Sequence, residues 1–64
     1  MEAYKRIYID MIAKNKAIID DIIDTINEGG TEEEITELRA LLSYYESEYN
    51  AAKVALNNIE EELA

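Results

Sequence analysis

Carboxylates are the most numerous groups in this sequence that could take part in chemistry. The chain has 15 Asp and Glu residues but neither histidine nor cysteine. Asp20 and Asp24, like Asp10 and Lys14, lie four residues apart, which is one turn of a helix. Paired carboxylates move protons or bind metals only where burial or converging ligands favour it. These pairs fall opposite the apolar positions, so the sequence favours a solvated helix surface.

The other common chemical motifs are missing from the sequence. Without histidine and cysteine the chain lacks the usual zinc ligand sets, a thiol nucleophile and a Ser-His pair. A di-metal helical bundle would use inward-facing Glu with a Glu-x-x-His motif. There is also no glycine-rich phosphate loop. We therefore expect no catalytic residue, no metal and no cofactor, and we interpret the chain as a non-enzyme.

One strong break divides the chain into two helices. Proline is absent, and the two glycines are adjacent, at Gly29 and Gly30. Glycine directly after a helix provides a left-handed C-cap, and Thr31 with Glu34 matches a capping box that starts a second helix. The sequence predicts a single domain, 1–64, with helix 1 at about 2–28, a turn at 29–31 and helix 2 at about 32–63.

Both helices carry apolar seams. In helix 2 the seam follows alternating steps of three and four residues for more than four heptads: Ile35, Leu38, Leu42, Tyr45, Tyr49, Ala52, Leu56, Ile59 and Leu63. Helix 1 has two overlapping frames, one of Tyr4, Tyr8, Met11, Asn15, Ile18 and Ile22, the other of Tyr8, Ile12, Asn15, Ile19, Ile22 and Ile26. Such an apolar stripe is wider than one partner helix can cover.

This width, together with the short chain, predicts self-association. Small domains need disulfides, metals or partner chains to be stable, and only the last of these is open to this sequence. The predicted fold is all-α: an antiparallel two-helix hairpin, coiled-coil-like, that assembles into a four-helix bundle or a larger helical oligomer. An antiparallel homodimer is favoured. A turn centred on the glycine pair places residue i opposite residue 60 minus i, within one helical turn.

Asn15 is the one strongly polar residue at the centre of the helix 1 seam. A ligand contact is one interpretation, but a buried Asn more often fixes register and orientation at some cost in stability. The predicted register brings Asn15 near Tyr45, so we expect a hydrogen bond to the hydroxyl of Tyr45 or Tyr49. These three residues are the predicted determinants of register and specificity.

The region of the turn is strongly acidic. We define the acidic tip as the carboxylates of residues 20–37: Asp20, Asp21, Asp24, Glu28, Glu32, Glu33, Glu34 and Glu37. Such a cluster could imitate a phosphate backbone and occupy a basic groove on another protein. Solubility and favourable acids at the start of a helix are the simpler explanation. The net charge of −9 disfavours direct contact with nucleic acid or an anionic membrane.

The outer face of helix 2 lacks charge. Outward positions between residues 40 and 58 carry no charged side chain, although 33% of the chain is charged. Six of them repeat a four-three spacing and form what we call the outer stripe: Ala40, Tyr44, Ser47, Ala51, Val54 and Asn58. Small residues allow another helix to approach closely, and tyrosine often anchors interfaces. The stripe is a candidate partner-binding surface, although high alanine content could also produce it.

Three functions of different classes remain open. The first is a small regulatory or accessory protein that binds a partner protein. The second is an acidic inhibitor of phage or plasmid type that mimics nucleic acid, and the third is a purely structural self-assembling element. No stretch is long and apolar enough for a membrane span, and no signal peptide is recognisable, so a cytoplasmic location is expected.

Overall fold

The chain forms a hairpin of two α-helices. In the computed structural model, the structure describes the backbone of residues 2–63 and the side chains of residues 3–62. Helix α1 spans Glu2–Glu28 and helix α2 spans Glu32–Leu63, and the two pack against each other along their length. The hairpin measures 48 × 14 × 13 Å. Residues 2–63 contain no strand, which confirms the predicted all-helical hairpin.

The turn is built by a glycine whose conformation other residues rarely adopt. Gly29 has a φ of +90°, the one positive φ among the described residues. Its N–H donates to the carbonyl of Ile26 at 3.1 Å, a bond that closes the last turn of α1. A residue with a Cβ is strained in this region, so glycine ends the helix here at little cost. The predicted C-cap is confirmed.

A capping box starts α2, with one difference from the expected form. The backbone N–H of Glu34 donates to the Thr31 hydroxyl at 3.2 Å, and the N–H of Ile35 donates to the Thr31 carbonyl at 3.0 Å. The Glu34 side chain was expected to accept from the backbone of Thr31. Instead its carboxylate accepts from the Thr31 hydroxyl at 3.1 Å, because a hydroxyl donor to a carboxylate forms a charge-assisted bond.

The core between the helices is thin. Among residues 3–62 only Ile22, 8% exposed, and Ala52, 2% exposed, are buried. The other seam residues of α2 from Ile35 to Ile59 are half-buried, and the side chain of Leu63 lies outside the described residues. In α1 the second frame faces α2, whereas Tyr4 and Ile18 of the first frame are exposed. Two helices alone therefore leave the wide stripe of α1 only partly covered.

The side-chain contacts between the helices join residues that are offset from the 60-minus-i rule. Lys5 forms an ion pair with Glu60 at 3.7 Å, five residues beyond the position opposite it under the 60-minus-i rule. Farther along, Lys16 shares a groove with Glu46, Tyr49 and Asn50, where that rule gives residue 44. Side chains point towards the N-terminus of their own helix, so long side chains on antiparallel helices meet at residues offset from those at the same level. The backbone register stays a prediction.

The described part of each helix also bears on the question of membrane insertion. Over residues 2–63, neither helix has a segment with the length and hydropathy needed to cross a bilayer.

Candidate functional site

The outer stripe lies on the exposed surface of α2. All six of its residues are exposed, with Tyr44 at 53% and Val54 at 61%. The Tyr44 ring packs edge-on against the ring of Tyr45, with 5.1 Å between centroids and 80° between planes. Because Tyr45 is half-buried in the seam, this contact holds Tyr44 against the core while its other face remains open. The stripe thus presents a partly ordered aromatic ring beside small side chains.

Two grooves show which charged residues line one side of the hairpin. The first lies between Lys16, Ile19 and Asp20 of α1 and Glu46, Tyr49 and Asn50 of α2. The second joins Ile12 to Lys53, Leu56, Asn57 and Glu60. Helical spacing places both grooves, and the Lys5–Glu60 ion pair, on the same side. We call this side the polar flank.

The opposite side of the hairpin carries most of the large exposed apolar side chains. Counting in steps of three and four along this side gives residues 4, 7, 11, 14 and 18 of α1 and 41, 44, 48, 51 and 55 of α2, so Lys14 and Glu48 also lie there. The large apolar residues of this side are Tyr4, Ile7, Met11 and Ile18 in α1 and Leu41 and Tyr44 in α2. We call this set the apolar flank. It contains five of the eight large apolar side chains that are exposed among the described residues, whereas the polar flank has two, Ile9 and Ile23.

Sequence reasoning missed the apolar flank as a single surface. It registered the width of the α1 stripe and the outer stripe of α2, but treated them separately. Leu41 was not assigned to either surface. The spacing of 41, 44, 48, 51 and 55 is visible in the sequence, but only the packing of the hairpin shows that this row lies beside Ile7, Met11 and Ile18.

The acidic tip is fully exposed in the structure. All eight of its residues are exposed, and none takes part in an ion pair, since the one ion pair among the described residues is Lys5–Glu60. Glu34 is occupied by the capping bond to Thr31. The hydroxyls of Thr25 and Thr36 donate to the backbone carbonyls of Asp21 and Glu32, at 2.8 and 2.9 Å. These bonds do not involve the side-chain carboxylates of Asp21 and Glu32.

The predicted polar network at Asn15 is not formed. Asn15, Tyr45 and Tyr49 are all half-buried, but no hydrogen bond joins Asn15 to either hydroxyl. No described side chain has a buried polar atom without a partner, so the amide of Asn15 keeps contact with solvent. Tyr49 instead packs under Lys53, whose Nζ lies 5.3 Å from the ring centroid. The expected hydrogen bond was wrong because Asn15 lies at a level where the thin core still admits water.

The carboxylate pairs that could do chemistry lie at the surface. Asp10, Asp20 and Asp24 are exposed. Over the part of the chain that the structure describes, no group of three or more possible ligands converges on one point. Asp10 and Lys14 do not form an ion pair there. The geometry therefore offers surfaces for binding, and it brings no pair of these groups into a shared buried site.

Comparison with known proteins provides no assignment. No protein family, curated protein or solved structure matches this chain.

Proposed function

We propose that this chain is a helical protein-interaction module, a small regulatory or accessory protein that binds a partner protein through the outer stripe of α2. It acts by binding and not by catalysis, without a cofactor, and we place it in the cytoplasm. The observation that carries the proposal is the exposed, uncharged stripe from Ala40 to Asn58, with Tyr44 and Val54 more than half exposed.

The chemistry of the stripe defines the kind of partner that would fit. Small side chains at Ala40, Ser47 and Ala51 allow a helix backbone to come close. The Tyr44 ring supplies one large amphipathic contact of the type enriched at interface hot spots. The stripe has no charged side chain, so binding of a partner there removes no charge of this chain from water. A helix or shallow groove with an apolar, uncharged surface is the complementary partner.

The test is affinity capture from lysate of the source organism with matched variants. Val54→Glu places a charge within the stripe, and Ile9→Glu places the same charge at an exposed apolar position on the other helix. The proposal expects a protein that wild type and Ile9→Glu retain and Val54→Glu loses. Binding of the identified partner, measured by calorimetry, should fall about thirtyfold for Tyr44→Ala, or about 2 kcal/mol. Equal binding by all variants would contradict the proposal.

The acidic tip supports a second candidate function. Eight exposed carboxylates without an ion pair form a concentrated negative surface, and a mimic of nucleic acid would present such a surface to a basic groove. Charge reversal at Asp20, Asp24, Glu33 and Glu37 would then abolish capture, and raising salt from about 50 to about 500 mM would weaken it steeply. Under the first proposal the reversal and the salt change have little effect.

A third candidate, a purely structural self-assembling element, is separated by the same experiment. In that case neither the stripe variant nor the tip variant changes binding to any other protein, while assembly persists.

A further inference from the structure

We infer that the apolar flank is covered by a second copy of this chain, in an antiparallel four-helix bundle. The inference names the surface through which the chain associates, and it holds whether or not the outer stripe binds a partner. It rests on the exposed area of the hairpin, on the division of charge along it, and on where the flank lies.

The hairpin exposes more surface than a folded chain of its mass normally does. Its accessible area is 4944 Å² for 7.3 kDa, whereas folded monomers of this mass expose about 4,200 Å². The excess is roughly 750 Å², which is close to the area that each partner contributes to a standard protein interface. The large exposed apolar side chains are concentrated on one side, so a second copy that buries an area of this size would bind there.

The charge distribution selects a second copy and its direction. Residues 17–45 contain eight carboxylates and one arginine, so this half of the hairpin carries seven of the nine net negative charges. The first 16 residues instead hold Lys5, Arg6, Lys14 and Lys16 against two acids. The rest of the hairpin carries the other two net negative charges. A parallel pair would bring two acidic tips together, whereas an antiparallel pair sets each tip beside the end of the other copy that carries less net charge.

The position of the flank fits this direction. A two-fold axis that crosses the helices places α1 on α1 and α2 on α2 of the second copy. Met11 and Ile18 are placed almost evenly about residue 15, the middle of α1, so Met11 of one copy meets Ile18 of the other. On α2, Tyr44 comes to the level of Ala55 of the second copy, an aromatic ring against a small side chain.

The first test compares two isoleucines on α1 that differ in their flank. Ile18 and Ile23 are similarly exposed, at 36% and 40%, but Ile18 is on the apolar flank and Ile23 on the polar flank. Replacing either with Gln removes apolar area without altering charge or helix propensity much. Sedimentation equilibrium should show a dimer for wild type and Ile23→Gln. Ile18→Gln should raise the dissociation constant about tenfold or more. Equal dissociation constants for the two variants would overturn the inference.

Unfolding provides a check that holds even if Ile18→Gln does not fold. If the second copy stabilises the hairpin, the melting temperature of the wild-type chain rises with chain concentration. A wild-type melting temperature that is independent of concentration, with the mass of one chain at micromolar concentrations, would refute the inference.

Orientation is measured with a spin label at a single engineered cysteine. The chain has no native cysteine, and Glu33→Cys puts the label on the acidic tip outside the capping bonds. An antiparallel dimer separates the two labels by about 50 Å, because residue 33 is roughly 16 residues from the point midway between Tyr44 and Ala55, at about 1.5 Å each. A parallel dimer brings them within about 20 Å, two helix spacings, and that distance would contradict the arrangement.

The two proposals fail in distinguishable ways. Val54 points away from the apolar flank, so Val54→Glu should leave the dimer intact while it abolishes partner capture. Tyr44 belongs to both surfaces, so a loss of partner binding in Tyr44→Ala does not separate the two proposals and the comparison uses Val54→Glu. Loss of dimerisation in Ile23→Gln as well as Ile18→Gln would refute the second-copy inference alone, and retained capture by Val54→Glu would refute the partner proposal alone.

Discussion

The adjacent glycines of the turn offer a controlled test of how the hairpin is closed. Gly29 has a φ of +90°, and a Cβ built on it meets no atom within 4 Å. The cost of Gly29→Ala is therefore backbone strain alone, about 1 to 2 kcal/mol for an L-residue in the left-handed region. Alanine also lowers the conformational entropy of the unfolded chain, which stabilises the folded state by about 0.4 to 1 kcal/mol. The net destabilisation should be about 1 kcal/mol.

Gly30→Ala is the matched control for this substitution. Gly30 is not in the left-handed region, and its Cβ would lie 3.2 Å from the Glu34 Oε2, the flexible end of a side chain that can shift. The unfolded-state gain is the same in both variants, so the difference between them isolates the left-handed strain. We expect Gly30→Ala to be more stable than Gly29→Ala by about 1 to 2 kcal/mol.

The assay is thermal or urea unfolding followed by circular dichroism, at one chain concentration because association contributes to stability. For a domain of this size, 1 kcal/mol shifts the melting temperature by about 4 to 8 °C, so the difference is measurable. Equal melting temperatures for the two variants, or a higher one for Gly29→Ala, would show that the turn does not depend on the positive φ.

Two further substitutions test the start of α2 and the middle of α1. Thr31→Ala should destabilise the hairpin by about 1 kcal/mol, because the N–H of Glu34 loses its acceptor. The control Thr36→Ala removes only a bond to the Glu32 carbonyl and should have a smaller effect. Equal effects of the two substitutions in urea unfolding would contradict a capping role for Thr31. Asn15→Leu should raise the melting temperature, because the amide makes no hydrogen bond to a described side chain and apolar area replaces it. The substitution should also broaden the oligomer distribution measured by sedimentation. A strongly destabilised Asn15→Leu variant would contradict the lack of a hydrogen-bond network at Asn15.

The parts of the fold that could be predicted from sequence are those set by neighbouring residues. The positive φ at Gly29 and the Thr31–Glu34 cap depend on the chemistry of a few consecutive residues. The seam of α2 depends only on spacing along one helix. Each of these signals is complete within a short segment, so no knowledge of the partner helix was needed to predict the ends of α1 and α2.

The side-chain contacts between the helices could not be predicted in the same way. They depend on how the side chains of two helices interdigitate, which the spacing along one helix does not determine. Side chains also point towards the N-terminus of their own helix, so those on antiparallel helices lean in opposite directions. The expected bond from Asn15 to Tyr45 or Tyr49 was wrong because the thin core leaves the Asn15 amide in contact with solvent. The apolar flank was missed because it joins residues of both helices.

The two proposed surfaces are related by the geometry of the bundle. With α2 lying on α2 of the second copy, the outer stripes of the two copies run side by side, in opposite directions, along one face of the assembly. Ser47 and Val54 from both copies would then border a shallow channel wide enough for one helix. A partner helix in this channel would contact both stripes at once and exclude a second partner helix by its bulk. The arrangement therefore implies one partner for every two chains, and a calorimetric stoichiometry of one partner per chain would mean that each stripe binds independently.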